Sequence, residues 1–124
     1  PHYRISVKRE ERLAPDAPDG LISNHLHDAV EEGHRIELGP PCGEFTIDPA
    51  AVAKPIVLIA GGIGVTPLLS MAKSLVKENP EAKVCFIQAA RNSQVQAFAG
   101  ELRDLAESGR NVSTKVIFDA PLSG

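Results

Sequence analysis

A glycine-rich segment between an apolar run and an amphipathic pattern constrains the fold of this chain more than any other feature. Five aliphatic residues, Ile56 to Ala60, lead directly into Gly61-Gly62-Ile63-Gly64-Val65-Thr66-Pro67. Such a run is typical of a parallel strand covered on both faces. The apolar residues after the glycines recur at helical spacing: Leu68, Leu69, Ala72, Leu75 and Val76. With Asn79-Pro80 as a stop signal, the segment predicts a strand, a tight turn and a helix.

The same alternation continues downstream. A second buried strand is predicted over residues 84–90 and a third over residues 113–118. The helix between them has apolar positions three and four apart: Val95, Phe98, Ala99, Leu102, Leu105 and Ala106. Ser93 and Gln96 fit a capping box at its start, and Gly109 fits its end. Strand, helix, strand, helix, strand predicts a parallel sheet and half of a doubly wound α/β fold.

The first fifty residues follow a different pattern. Residues 2–8 and 34–38 alternate apolar with polar side chains, which predicts half-buried antiparallel strands. Between them lie a turn-rich loop over residues 9–20 and a short helix predicted over residues 24–32, capped by Ser23 and closed by Gly33 in a left-handed conformation. The chain begins with Pro1, and we expect it to be a piece of a longer protein.

Composition excludes several function classes. Thirteen Lys and Arg against sixteen Asp and Glu give a net charge of −3, which does not favour nucleic acid or an anionic membrane as a partner. A run of five apolar residues is far too short to span a bilayer. Cys42 and Cys85 form no metal-binding pair, and His25 and His27 point apart on a helix, so no metal site is predicted. The cysteine usage favours a reducing, cytoplasmic compartment.

The glycine-rich loop carries the clearest chemical signal. Glycines let backbone N–H groups approach a phosphate, and a helix start offers unpaired donors and the positive end of its dipole. The alternative is a tight turn without a ligand. Ser23 marks a second helix start, for which a plain cap is the commoner interpretation, and Lys8 alone is usually a solvated charge. Arg91 follows the second strand and fits either the adenosine ribose or solvent.

Taken in order, the motifs resemble a known family. They are Tyr3-Arg4-Ile5-Ser6-Val7-Lys8-Arg9-Glu10, Gly20-Leu21-Ile22-Ser23-Asn24-His25-Leu26-His27-Asp28, Leu38-Gly39-Pro40-Pro41-Cys42-Gly43-Glu44-Phe45, Gly61 to Pro67, and Ala89-Ala90-Arg91-Asn92. The ordered set is similar to the reductase part of flavohaemoglobins, the nitric oxide dioxygenases, within the ferredoxin–NADP reductase superfamily. The resemblance covers nearly the whole chain.

The resemblance implies an α/β fold in two parts. Residues 1–52 would be the C-terminal half of an FAD-binding antiparallel β-barrel, and residues 53–124 the first half of a Rossmann-like NAD(P)-binding domain. NAD(P)H would reduce FAD, which passes electrons to haem in a globin domain of the same chain, where nitric oxide becomes nitrate. The cofactor-binding residues implied are Ser6, Val7 and Lys8 for FAD, Leu21, Ile22 and Ser23 for its pyrophosphate, and Gly61, Gly62, Ile63, Gly64, Val65 and Thr66 for the nicotinamide cofactor. Arg91 joins them as a cofactor-binding candidate because of its place after the second strand. No residue of the chain is implied as catalytic.

The chain lacks other parts of that family. The Arg-x-Tyr-Ser flavin motif and the globin domain are not in the sequence, so we expect the isolated chain to be inactive. Two other functions stay open: the reductase component of an oxygenase system, and a non-catalytic dinucleotide-binding module. Incomplete sheets expose apolar faces and edges, so self-association is also expected.

Overall fold

The computed structural model describes residues 3–108 and 110–122, in two compact units, Pro1–Cys42 and Gly43–Gly124. The helices are α1 (Leu21–Asp28), α2 (Val65–Glu78) and α3 (Ala99–Ser108). The strands are β1 (Ile56–Gly61), β2 (Val84–Ala90) and β3 (Val112–Phe118). Short 3₁₀ turns lie at Pro49–Ala51 and Gly62–Gly64. In the described part of the chain, no helix combines the length and the apolar character that crossing a membrane requires.

The second unit is built on a parallel sheet. Its strand order is β1-β2-β3, with Leu58 opposite Phe86 and Phe86 opposite Thr114. The helices α2 and α3 connect successive strands, as the alternating sequence pattern predicts. The predicted parallel α/β architecture is therefore confirmed in this unit, and each of its three strands lies within one residue of the predicted bounds.

The core of the second unit lies between one face of the sheet and the two helices. Its buried members are Leu58, Ala60, Val65, Leu68, Leu69, Ala72, Leu75, Val84, Phe86, Leu102 and Leu105. The helix α2 supplies its predicted apolar face and ends at Glu78. Its C-cap is Asn79, whose backbone N–H donates to the carbonyl of Leu75 at 2.8 Å. Burial of this stripe against the sheet is what makes the helix stable, because isolated helices of this length are marginal in water.

The other face of the sheet differs from the prediction. Val57 and Ile59 are 57% and 69% exposed, although the aliphatic run indicated a strand covered on both faces. The reason is that α2 and α3 both pack on the face that carries Leu58 and Phe86. A doubly wound sheet needs helices on both sides, and the described residues supply them on one.

The start of α3 is also corrected. The helix begins at Ala99, so the predicted capping box at Ser93 and Gln96 is wrong. The preceding residues form an irregular loop, in which the Oδ1 atom of Asn92 accepts from the N–H groups of Gln94 and Val95 at 3.0 and 3.3 Å. Side-chain to backbone bonds of this kind compete with helix formation. The predicted stop at Gly109 lies outside the described residues.

The first unit contains α1, and its other described residues belong to no helix or strand. The helix begins three residues before the predicted start, with Gly20 as its N-cap, so Ser23 lies in its first turn and is not the cap. It ends at Asp28, before the predicted end at residue 32. Gly33 has a φ of 91°, the left-handed conformation that was predicted, but it lies in a turn beyond the helix.

Among the described residues, which exclude His2, neither of the two antiparallel strands predicted in the first unit is formed. Residues 3–8 and 34–38 belong to no strand, and Tyr3 and Ile5 are 80% and 60% exposed. An antiparallel strand is stabilised by ladder hydrogen bonds and by a buried face. No described segment pairs with either stretch, so apolar alternation alone does not produce a strand here.

The unit boundary lies between Cys42 and Gly43, ten residues before the predicted domain boundary at 52/53. Residues 43–52 are attached to the second unit, because the Nδ2 atom of Asn79 donates to the carbonyls of Pro49 and Val52 at 3.0 and 3.3 Å. Ile47 also packs against the core of that unit. The domain boundary itself stays a prediction.

Candidate functional site

The glycine-rich loop connects β1 to α2 in a sharp turn. Gly61 is extended, with φ of −128° and ψ of 135°, and Gly62 follows with φ of 51°. A left-handed conformation costs an L-residue about 1–2 kcal/mol, so Gly62 is the position where the turn itself requires glycine. Thr66 stabilises the turn, since its Oγ1 donates to the carbonyl of Ile63 at 3.1 Å.

Space is open over the glycines of this loop. A Cβ built on Gly61, Gly62 or Gly64 would have no atom of the described residues within 4 Å. The absence of side chains at these positions is therefore not explained by internal packing. It leaves the main chain accessible to a group from outside, which is what a dinucleotide loop provides.

The start of α2 adds electrostatic attraction for an anion. Its N-cap is Gly64, which has no side chain to cap the helix, and its first turn contains no acidic residue. The N–H of Val65 already donates to the carbonyls of Gly62 and Ile63, so an anion would meet the other N–H groups of the turn. The side chain of Val65 is fully buried and anchors the helix. The arrangement suits a phosphate at the positive end of the helix dipole.

Arg91 lies at the same edge of the sheet as this loop. Gly61 is opposite Ala89, and Arg91 is exposed immediately beyond the last residue of β2. Its position is held through the main chain, because the N–H of Ala120 donates to the carbonyl of Arg91 at 2.9 Å. Ligands of open α/β sheets bind outside the carboxyl ends of the strands. The structure therefore brings the predicted nicotinamide-cofactor residues together at the edge where such ligands bind.

The predicted flavin residues meet within the first unit. The carbonyl of Val7 is hydrogen-bonded to the Nε2 atom of His27 at 2.9 Å, which joins residues 6–8 to α1. The Oγ atom of Ser23 accepts from the N–H of Glu10 at 3.2 Å and donates to the carbonyl of Gly20 at 3.1 Å. Lys8 is exposed and paired with Glu10 at 3.0 Å.

The backbone at the start of α1 is the part of this set that suits a phosphate. The first-turn N–H groups of Leu21, Ile22 and Ser23 have no acceptor within a helix. Leu21 and Ile22 are 81% and 68% exposed, so the start of the helix is accessible. The hydroxyl proton of Ser23 is directed to Gly20, which leaves its backbone N–H as the donor for an anion.

Sequence reasoning missed the ion pair that fastens α1. The guanidinium of Arg9 donates to both carboxylate oxygens of Asp28, at 2.5 and 3.0 Å, and to the Oδ1 atom of Asn24 at 2.7 Å. The hydrogen bonds from Arg9 to the carboxylate lower the pKa of Asp28 below its ordinary value. Both partners are polar residues in exposed segments nineteen positions apart, so no local pattern links them.

Sequence reasoning also missed Gln88. It is a buried polar residue, 1% exposed, inside a strand of otherwise apolar residues. The signal that could have found it is the lone amide in the run Val84 to Ala90. Its side chain is bonded to Ala97 and Gln96, in the loop that leads from Arg91 to α3.

Comparison with known proteins decides the family of the chain. The family model described as an oxidoreductase NAD-binding domain matches residues 58–120, which include the glycine-rich loop and Arg91. The chain belongs to this oxidoreductase family. The match begins in β1 and continues past β3, so it covers the sheet and both helices of the second unit.

Two curated relatives share more than the NAD-binding part. The chain is 81% identical over 124 residues to a flavohemoprotein of Rhodopirellula baltica, covering 100% of this chain and 30% of the relative. It is 46% identical over 114 residues to flavohemoprotein A of Dictyostelium discoideum, covering 91% of this chain and 28% of the relative. The chain therefore spans less than a third of the length of these relatives. The resemblance to the reductase region of flavohaemoglobins is confirmed.

Solved structures agree with this assignment. The flavohem-like FAD/NAD-binding domain of nitric oxide dioxygenase from Vibrio cholerae is 27% identical, with a TM-score of 0.82 over 94% of this chain and 47% of that one. The cytochrome b5 reductase domain of Ulva prolifera nitrate reductase is 25% identical, with a TM-score of 0.72 over 97% of this chain and 48% of that one. These neighbours confirm the predicted fold class, although the predicted strands of the first unit are absent here.

Proposed function

We propose that the second unit binds NAD(P)H with its diphosphate on the loop Gly61 to Thr66. The observation that carries this proposal is the open space over three glycines at an α2 start that has no side-chain cap. Membership in the NAD-binding family supports the same ligand. Arg91, at the same edge, is assigned to the adenosine end, where an arginine meets either the ribose or a 2′-phosphate. The role of these residues is to bind and orient.

FAD is proposed as the ligand of the first unit. The first-turn N–H groups of Leu21, Ile22 and Ser23 would hold its pyrophosphate, and Ser6, Val7 and Lys8 would lie along the flavin. Hydrogen bonds between α1 and residues 7–10 support a single binding surface within this unit. The named FAD/NAD-binding domain from Vibrio cholerae supports the cofactor.

In the whole protein, this segment would be part of an electron-transfer enzyme. When bound, NAD(P)H supplies a hydride, FAD accepts it, and haem in a globin domain of the same chain receives single electrons. The proposed reaction converts nitric oxide and dioxygen to nitrate, as in nitric oxide dioxygenases. The flavohemoprotein relatives support this assignment. Two free thiols, Cys42 and Cys85, support a cytoplasmic location.

A second electron acceptor is supported by one specific observation. A cytochrome P450 reductase from Amycolatopsis is 25% identical, with a TM-score of 0.70 over 79% of this chain. The same reductase architecture therefore occurs with a different acceptor. The alternative function is the reductase component of an oxygenase system, and an iron–sulfur ligand run of the Cys-x₄-Cys-x₂-Cys type elsewhere in the full sequence would favour it over a globin.

Self-association is proposed for the isolated chain. Val57, Ile59 and Ile117 expose about half or more of their surface on the sheet, and β1 and β3 each have one strand neighbour among the described residues. Exposed apolar faces and unpaired strand edges favour contact between copies.

The binding proposal is tested by titrating the chain with NADH while backbone amide chemical shifts are recorded. We expect the largest shifts at residues 61–66 and at Arg91, and a separate set at residues 6–8 and 21–23 on addition of FAD. Gly62→Val should weaken NADH binding, and because valine is strained at the φ of 51° in this turn, helix content and the free energy of unfolding are measured alongside affinity. Shifts centred elsewhere, or wild-type affinity in Gly62→Val, contradict the assignment.

A further inference from the structure

A hydrogen-bonded amide pair lies directly beneath the carboxyl edge of the sheet. Gln88 is opposite Ala60 in β1, one position before Gly61, and its side chain is 1% exposed. Its Nε2 atom donates to the carbonyl of Ala97 at 2.9 Å. Its Oε1 atom accepts from the Nε2 atom of Gln96 at 2.9 Å. A buried strand residue is thus tied twice to the loop over residues 91–98.

These bonds determine the shape of that loop. The loop contains Phe98 with a φ of 61°, a left-handed conformation that is strained for a residue with a side chain. The carbonyl of Phe98 accepts from the N–H of Leu102, which links the strained residue to the first turn of α3. Strained conformations persist where the surroundings hold them, and they concentrate at binding sites. The Gln88–Gln96 pair is one of the restraints that hold this loop.

Packing alone does not account for an amide at position 88. Burying a polar group destabilises a fold unless the group is hydrogen-bonded, and apolar side chains of similar shape can replace both partners of a bonded pair at almost no cost. What the amide adds is a directional restraint, because it fixes the carbonyl of Ala97 and the side chain of Gln96 relative to β2. The loop so directed begins at Arg91, where the adenosine half of NAD(P)H is proposed to bind.

We propose that Gln88 and Gln96 are positioning residues that hold the loop over residues 91–98 in the shape that receives the adenosine half of NAD(P)H. The inference rests on the proposed binding of that cofactor to the second unit. Neither glutamine is assigned a contact with the ligand. Their effect on affinity therefore passes through the loop, and ligands that lack adenosine are not affected by it.

The experiment is a double-variant cycle in the 124-residue chain. Gln88→Met, Gln96→Met and the double variant are titrated with NADH and with reduced nicotinamide mononucleotide, which has no adenosine. We expect Gln88→Met, which removes both bonds, to raise the dissociation constant for NADH about tenfold, and the double variant about as much. Gln96→Met leaves the bond from Gln88 to the carbonyl of Ala97, so it should raise the constant by a smaller factor. The constant for the mononucleotide should change less than twofold.

A structural control separates positioning from folding. Leu105→Ala removes buried packing from α3 without touching the amide pair, so it should lower stability and leave the ratio of the NADH and mononucleotide constants unchanged. Urea unfolding of every variant corrects the constants for the folded fraction.

Three outcomes overturn the inference. If the glutamine variants lose affinity for NADH and for the mononucleotide by the same factor, the pair has a structural role only. Wild-type NADH affinity in the single variants gives it no role in binding. A wild-type chain that binds neither ligand overturns the proposed function and this inference together, whereas the first two results leave the proposed function standing.

Discussion

Replacing Gly64 with alanine separates the folding role of the glycine-rich loop from its ligand role. Gly64 has φ of −61° and ψ of −6°, which any L-residue adopts. A Cβ at this position has no atom of the described chain within 4 Å, so alanine introduces neither strain nor a clash. It also reduces the freedom of the unfolded chain. We therefore expect Gly64→Ala to raise the free energy of unfolding by about 0.4–1 kcal/mol.

The expected effect on binding has the opposite sign. The added methyl group would occupy the open space through which a phosphate oxygen reaches the N–H groups of the turn. One charge-assisted hydrogen bond contributes about 1.5–3 kcal/mol. Losing one such bond corresponds to a rise in the dissociation constant for NADH of about 10- to 150-fold. A variant that folds better and binds worse is the specific signature of a backbone phosphate site.

Stability is measured by urea unfolding and affinity by the fluorescence of NADH during titration. The matched control is Gly100→Ala, in the first turn of α3, where a Cβ also has no described atom within 4 Å. Alanine is favoured over glycine in a helix by up to about 1 kcal/mol, so the control should gain stability without a change in NADH affinity. Were Gly64→Ala stabilised and still able to bind NADH like the wild type, the loop would be only a tight turn.

Three further predictions concern stability and association. Leu75→Ala, which truncates a fully buried residue of α2, should lower the free energy of unfolding by about 2–5 kcal/mol in urea titrations, and a loss below 1 kcal/mol would contradict the packing described. The Arg9–Asp28 pair should stabilise the folded chain at every pH above the ordinary carboxyl pKa. This stabilisation should disappear as the pH falls through the lowered pKa of Asp28. The melting-temperature difference between wild type and Asp28→Asn should therefore narrow on acidification, and a constant difference would refute the assignment. Ile59→Lys should shift light scattering of the chain toward monomer, whereas a monomeric wild type at high concentration would exclude association.

The second unit was predictable because its signals are local. The apolar residues of α2, its Asn79 stop and the run that becomes β2 all lie within single stretches of sequence. Each of these stretches needs to bury only one apolar face against a neighbouring element to form the predicted helix or strand. The exposure of Ile59 was not predictable in this way, because it depends on which face of the sheet receives both helices.

The errors come from interactions between distant residues. Tyr3 and Ile5 alternate like a strand, but a strand needs a partner, and none of the described segments pairs with residues 3–8. Gln96 fits a capping box by spacing, yet its side chain is engaged by Gln88, eight residues earlier, and α3 begins only at Ala99. Spacing rules use only residues that are close in sequence, so they do not register a competing partner that lies far away in sequence and close in the fold.

The same distinction explains which parts of the candidate site the sequence reveals. A phosphate site made of consecutive N–H groups is encoded within a few residues, so the segment Gly61 to Thr66 and its helix start suffice to predict it. The shape of the loop over residues 91–98 depends instead on a buried amide, Gln88 in β2, and on Phe98, whose left-handed conformation no sequence spacing predicts. We propose that the glycine-rich loop sets the affinity for the diphosphate, and that Gln88 and Gln96 set the affinity for the adenosine. Variants of the loop and variants of the glutamine pair should then act independently. Gly64→Ala and Gln88→Met would then have additive effects on NADH binding, because they act on two different parts of one ligand, the diphosphate and the adenosine.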